Sequence, residues 1–494
     1  MTRIRFAPAL MAAGLLAATP VCAQPPPINE HPELKAMAAA VKVDNLRASD
    51  QALVDFGTRH TLSDTASTTR GIGAARRWVA ERFRALSREC DGCLEIVQPS
   101  QVFAGPRMPE KGARVTNVMA IQRGDSDPDR VTVLTAHLDS RRSDVMDAEG
   151  DAPGANDDAA GVAALLETAR VLSRYRFPAT LIYSADAGEE QGLLGGRIAA
   201  QYAVDHHWQV EADINNDMVG NDHGGNGVHA PHHVRVFSEG TKTNETPQQA
   251  AYRRYHGGGV DSPSRNIARY MQALAQRYLD NFEVHMIYRT DRWGRSGDQV
   301  PFLTQGYPAV RVSESAENYD HQHQDVRVED GTRYGDLVSG VDFDYLANIT
   351  RLDIITMASL ARAPAPPDDL TVKGALAYDT TLSWTPSPGA VDHNAWWRDT
   401  TAPQWQHMTG ADGKHTVVLK DVILDDHFVG VSALSRDGWE SPVAFPGEAG
   451  SFKRSPGTGS DGKPVDRAYP GLTDESATRA IGPPSWRADA ARSL

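Results

Sequence analysis

Several things are scarce in this 494-residue chain, and each scarcity removes a class of function. There are three cysteines, and aromatic residues make up 7% of the sequence. So few thiols exclude a disulfide-stapled scaffold or a cysteine-built metal cluster. Basic residues are outnumbered, 50 against 64 acidic ones, for a formal net charge of -14. Phosphate backbones are held by basic surface, so nucleic acid is excluded as a partner. Beyond the first two dozen residues no apolar run nears the roughly 20 residues that span a bilayer. There is no GxSxG and no HExxH, which sets aside a serine nucleophile elbow and a two-histidine zinc helix. What remains is an acidic globular chain, 40% hydrophobic, with length for roughly two to four domains.

Residues 1–23 read as a secretory signal. Arg3 and Arg5 form a basic start, Ala7 to Ala18 an apolar run too short for a membrane span, and Val21-Cys22-Ala23 a small-residue cleavage site. Removing it leaves a more acidic chain, expected in the periplasm or secreted, with no integral membrane segment. It also leaves only Cys90 and Cys93, in ECDGC. In an oxidising compartment two cysteines that close are expected to form a small disulfide.

Residues 24–43, opening with Pro25-Pro26-Pro27, look like a linker. From 44 the pattern turns helical, with Ala75, Val79, Phe83 and Leu86 on one face. Apolar β-rich runs at 131–136, 180–184, 212–215 and 309–312 then alternate with helical patterns at 157–174, 193–203, 264–279 and 345–361. Strands alternating with helices predict an α/β fold, a mainly parallel central sheet flanked by helices, over 44–362. The stretch 221–259, with GGNG, His229, His232, His233 and Gly257-Gly258-Gly259, reads as a surface insertion, its histidines solvated. A proline-rich hinge at 363–367 marks a boundary. Beyond it, short alternating runs at 370–372, 381–384, 415–419 and 428–434 predict a small all-β sandwich over 364–448. Its Trp384, Trp396, Trp397 and Trp405 could fill the sandwich core or stack on sugars. Residues 449–494, rich in Gly, Pro, Ser and charge, read as a loosely ordered tail.

Five segments carry metal-binding side chains: His137 and Asp139 in LTAHLDS, Asp157 in GANDDAAG, Glu189 and Glu190 in SADAGEEQGLLGG, Asp217 in NNDMVG, and His321 in NYDHQHQD. Most follow an apolar run closely, and in parallel sheets ligands gather beyond the strands' carboxyl ends. A two-metal hydrolytic site needs terminal imidazoles, carboxylates to bridge and balance charge, and a spare carboxylate as base. Each piece also has a plainer reading. Asp157 could cap the helix that follows it. Glu189-Glu190 could be a solvated pair, but after an apolar strand and before Gly192 and Gly195-Gly196 two adjacent carboxylates repel unless cations or a proton relieve them. Asp139, two residues past His137, can accept the imidazole's second N–H and fix its tautomer. His321 is preferred over His323 as the late ligand.

HLDS, GANDDAAGVAALLE, GEEQGLLGG, NNDMVG and HxxxD together resemble the M28 family of di-zinc aminopeptidases over roughly residues 45–360. PDDLTV, TTLSWTPS and GVSALSRDGWES resemble a fibronectin type III module, an extension also found in secreted bacterial members. The first resemblance implies two Zn2+ ions bridged by Asp157 and a water or hydroxide. His137 and Asp217 would complete one ion's ligands, Glu190 and His321 the other's. It also implies Glu189 as general base, Asp139 orienting His137, Asp298 as a supporting acid, and a cis peptide after Asp157. Some relatives carry a tyrosine directly before the last histidine, where this chain has Asp320. The implied reaction is hydrolysis of N-terminal peptide bonds, with peptides or proteins bearing a free N-terminus as substrates. Two alternatives share the fold or abandon catalysis: a carboxypeptidase or dipeptidase, needing a cation such as Arg289, Arg292 or Arg311 for a carboxylate, and an inactive peptidase fold acting as a binding protein. In either case the sandwich could contact polysaccharide or protein.

Overall fold

The computed structural model of the chain describes residues 30–455 and 478–490, so the leader lies outside the described residues. An eight-stranded sheet forms the centre. Its strands lie in the order Glu95–Val97, Val118–Gln122, Ala179–Asp186, Asp127–His137, Gln209–Asn216, Ala309–Ser313, His233–Phe237, Glu283–Ile287. The four middle strands, Ala179–Asp186 to Ala309–Ser313, run parallel to one another. Both faces are covered, as parallel strands require. On the longest strand Val131 and Val133 point to one apolar layer and Leu134 and Ala136 to the other, the period-2 alternation of extended backbone.

One layer holds the helices Leu194–Asp205 and Gln299–Thr304. The other is built on Gly71–Glu89, Ala160–Leu172, Pro263–Tyr278 and Phe343–Arg362. Ala75, Val79, Phe83 and Leu86 are buried as their spacing predicts. Burying a side chain such as Phe83 completely contributes about 1.5–3 kcal/mol. Among the described residues no helix is long and apolar enough to cross a membrane. Cys90 and Cys93 form a disulfide, with Cα atoms 5.5 Å apart.

The ends differ from the sequence expectation. Pro32–Ala39 is a helix within the stretch read as linker, because Leu34 and Met37 find the apolar layer and are fully buried. Part of the expected tail returns to the α/β body. Arg479–Ile481 pairs antiparallel with Ser100–Ala104, and Trp486 and Arg487 both donate to Asp205. Within the supposed surface insertion, His233–Phe237 is a sheet strand and Pro247–His256 a helix with a capping box at Thr246.

After the hinge come two three-stranded antiparallel sheets, Asp368–Lys373 with Thr380–Thr385 and Thr416–Leu419, and Asp392–Asp399 with His407–Gly410 and His427–Leu434. Leu382, Trp384 and Leu419 of the first and Ala395, Val429 and Val431 of the second share an apolar interior. Trp384, Trp396 and Trp405 are buried, so these three are core residues rather than a sugar platform. A buried carboxylate joins the sandwich to the α/β body: Asp261 Oδ1 accepts from Arg269 at 2.9 Å and from Arg398 at 2.7 Å.

Candidate metal centre

The parallel middle strands all end at one edge, and the site forms there. His137 is the last residue of its strand and lies in register with Asp186. Glu189 and Glu190 follow Asp186 in a turn, and Asp217 directly follows Asn216. The strand feeding His137 is buried along most of its length, as is His137 itself.

Asp157 reaches the same point from a break before the Ala160–Leu172 helix. Its backbone and that of Asp158 are non-helical, the bond between them is cis, and the helix has no side-chain cap from Asp157. Asp158 does the tying instead. It accepts N–H bonds from His137 at 3.0 Å, Gly161 at 3.1 Å and Met218 at 3.3 Å. A Cβ on Gly161 would stand 2.4 Å from that carboxylate, so only glycine admits it.

The two oxygens of Asp157 face two imidazoles. Oδ1 stands 2.9 Å from His137 Nε2, and Oδ2 stands 3.0 Å from His323 Nε2. Asp217 Oδ1 lies 3.8 Å from His137 Nε2, and Glu190 Oε1 lies 3.0 Å from His323 Nε2. This differs from the expectation of His321: the histidine brought to these carboxylates is His323. The reason lies in a tight turn. His323 adopts a left-handed backbone, φ 55°, which swings its ring toward Asp157, whereas the His321 ring packs against Gly340. Residues 137, 157 and 217 thus gather in one group, and 157, 190 and 323 in a second that shares Asp157.

The donor set fits divalent cations. Each group offers one imidazole nitrogen and two carboxylates, a combination suited to borderline first-row metals. Glu190 Oε1 is buried and makes no hydrogen bond, although an imidazole nitrogen stands 3.0 Å away. A buried oxygen left without a hydrogen bond beside an imidazole nitrogen is what a shared cation would satisfy.

Glu189 differs from its neighbour. Its carboxyl is aimed at none of these imidazoles, and burial raises its pKa well above the ordinary glutamate range. The His137 ring opposes that shift, while Asp217 and Glu190 reinforce it. Asp139 behaves otherwise than the sequence suggested. His137 Nδ1 faces the Asp139 main-chain oxygen at 3.0 Å, with the carboxylate Oδ1 farther off at 3.7 Å. The Asp139 carboxylate accepts from the Glu189 and Glu190 N–H groups, each at 3.2 Å, and from the Thr61 hydroxyl at 2.7 Å. It therefore fixes the two-glutamate turn, while its main chain orients His137. Asp298, fully buried, accepts from Gly196 N–H at 3.2 Å, holding the start of the helix after that turn.

Three supporting residues carried no sequence signal for the roles they take here. Asp336 accepts the N–H groups of Asn156 and Asp157 at 2.8 and 2.7 Å. Arg59, fully buried, donates to the carbonyls of Leu138, Pro153 and Gly154, tying the loops behind His137 and Asp157. Arg311 donates to Asp217 Oδ2 at 2.6 Å, leaving Oδ1 turned to His137. All three lie far in sequence from their partners, so spacing could not reveal them. Gln322, which directly precedes His323, places its amide 3.3 Å from Asp157 Oδ2, so it and not Asp320 holds the place before the last histidine.

Comparison with known proteins places the chain in a family. The family model described as Peptidase family M28 matches residues 117–330, the segment that carries every ligand-bearing turn. A probable zinc metalloprotease of Leptosphaeria maculans is 41% identical over 418 residues, 84% of this chain and 96% of that protein. One from Pyrenophora tritici-repentis is 40% identical, covering 84% and 86%. Among solved structures, LapB from Legionella pneumophila overlays with a TM-score of 0.49 at 17% identity, over 68% of this chain and 76% of that one. With the family model on the site and such relatives aligned over most of their length, the chain belongs to peptidase family M28.

Proposed function

We propose that this protein is an exported zinc-dependent aminopeptidase that holds two zinc ions and hydrolyses N-terminal peptide bonds. One observation carries the reading: the Asp157 carboxylate lies between His137 and His323 with an uncommitted glutamate, Glu189, beside it. His137, Asp157 and Asp217 would hold one ion, and Asp157, Glu190 and His323 the other. When bound, zinc polarises the scissile carbonyl and makes water acidic enough to attack at neutral pH.

The chain supplies the rest. Glu189 Oε takes the proton of the attacking water and returns it to the leaving amine. Burial raises its proton affinity, with the neighbouring carboxylates adding to it, which favours taking a proton from water. Asp139 holds the backbone of Glu189 and Glu190 so that neighbouring carboxylates serve different ends. The carboxylates gathered at the site favour a substrate with a free ammonium group.

Amino- rather than carboxypeptidase action is favoured by where the arginines lie. Arg311 is committed to Asp217 and Asp291, and Arg292 to Asp291, while Arg289 lies over the Trp293 ring. Two of the three, Arg292 and Arg311, are thus held by the chain's own carboxylates. The relatives described as zinc metalloproteases support zinc as the metal.

Hydrolysis of aminoacyl-nitroanilides by wild type and Glu189→Gln tests the reading. Wild type should be active, lose activity with chelator, and ignore N-acetylated substrates. The variant should retain metal yet lose at least about 100-fold in rate, the contribution of a positioned base. Equal null rates for both proteins would favour a binding role instead.

A further inference from the structure

The loop that leaves Asp217 carries a second gathering of metal-ligating side chains. Asp222 is almost completely buried, and its two oxygens face two histidines, His223 Nδ1 at 2.5 Å and His229 Nε2 at 3.0 Å. The two rings stack face to face, centroids 3.9 Å apart. They are brought together by the backbone. His223 and His229 form an antiparallel bridge, and Gly224 N–H to Val228 O and Ala230 N–H to Asp222 O close the loop. Asn221 braces its base, donating to the carbonyls of His223 and Ala316.

The chemistry of the three groups leaves a charge unanswered. Among the described residues, the ion-pair partners of the Asp222 carboxylate are those two imidazoles. No lysine or arginine is paired with it. Neutral rings leave its charge to their N–H groups alone, and protonating one of them sets a cation against the ring stacked 3.9 Å away. A divalent cation taking His223 Nδ1, His229 Nε2 and an Asp222 oxygen meets every requirement at once. The donor atoms lie within 4.8 Å of one another. One carboxylate also faces two imidazoles at similar distances in the main centre, although there the two rings belong to different groups.

We propose that Asp222, His223 and His229 form a further metal site, specific for a borderline first-row cation such as zinc. Half of each imidazole is exposed, so water completes the coordination and the ion exchanges readily. The site is structural. Its loop packs on the segment leading to His323: Gly225 sits 3.1 Å from Asn318 Oδ1, measured at the position of a Cβ, and Asn221 binds Ala316 O. Binding there closes the 222–229 loop and braces the arm that presents His323.

The test is metal content at equilibrium. Wild type and His223→Ala/His229→Ala are dialysed against buffered micromolar zinc and analysed for metal and protein. The variant is expected to hold one equivalent fewer than wild type whatever the main centre's occupancy, and to lose the weakest class of sites in a zinc titration. Equal content in the two proteins overturns the proposal. His229→Asn, which keeps a polar group in the loop, gives the same comparison if the double variant does not fold.

Discussion

Asp353 offers a sharp test of how buried charge is managed behind the site. It sits on the Phe343–Arg362 helix, fully buried, and accepts from Asn216 Nδ2 at 2.8 Å. Asn216 is the residue before Asp217, so this contact anchors the strand end that carries a proposed metal ligand. The other Asp353 oxygen and the Asn216 amide oxygen are both buried without hydrogen-bond partners. Burial raises the Asp353 pKa from 3.8 to about 7, with the Asn216 bond pulling the other way. The unfolded chain therefore releases this proton near pH 4 and the folded protein near pH 7. Below pH 4 both forms are neutral and nothing is lost. Between the two values folding is opposed increasingly, and above pH 7 the loss levels off. At 1.36 kcal/mol per unit the ceiling is about 4 kcal/mol. Asp353→Asn removes the titration, and its amide can donate to the orphan Asn216 oxygen while still accepting from Nδ2. The variant is expected to exceed wild type in stability at pH 8 by roughly 2–4 kcal/mol. That advantage should fall by about 1.4 kcal/mol per pH unit from 7 toward 4. Urea unfolding at pH 5, 6, 7 and 8 measures it. A difference that does not change with pH, or a variant weaker than wild type at pH 8, would refute the argument.

Three further outcomes follow from the geometry. His323→Ala should release metal and lower kcat/KM by more than about 100-fold, since even outer partners of a ligand are worth 10–100-fold; His321→Ala should leave metal content and rate near wild type, and the reverse pattern would restore His321 as the ligand. Asp336→Ala removes the acceptor for the Asn156 and Asp157 N–H groups and should weaken metal retention roughly 10–100-fold in a chelator competition; unchanged retention would make Asp336 a bystander. Arg398→Ala strips one of two guanidiniums from the buried Asp261 carboxylate and should cost about 3 kcal/mol, read as easier proteolysis at the 363–367 hinge; wild-type resistance would show that Arg269 alone suffices.

The parts of the molecule legible in the sequence are those where a local pattern has a local cause. Val131 to Ala136 reads as a strand because it is buried on both faces, and His137 could be placed at its exit for the same reason. Glu189-Glu190 stood out because adjacent carboxylates after a buried strand require an explanation, and the chain provides one in Asp139 and the two neighbouring ligand groups. The misses have one physical origin as well. Asp392–Asp399 holds Trp396 and Trp397 between polar residues, and its place in the second sheet comes from pairing with His427–Leu434, a contact that no window of sequence contains. The helix Pro32–Ala39 forms just past the proline run that suggested a linker, because Leu34 and Met37 find a distant core.

His321 and His323 mark the limit most clearly. Both histidines lie in one short turn, and neither composition nor spacing distinguishes them. What separates them is the sign of one backbone angle: at φ 55° residue 323 turns its ring inward, and residue 321 is left against Gly340. A non-glycine residue in that region costs on the order of 1 kcal/mol. The cost is met where the ring reaches Asp157 and Glu190 together, because two buried carboxylates facing each other without a shared partner would cost more. Which histidine joins the site is thus chosen by the carboxylates that precede it in the chain, and its position follows from theirs.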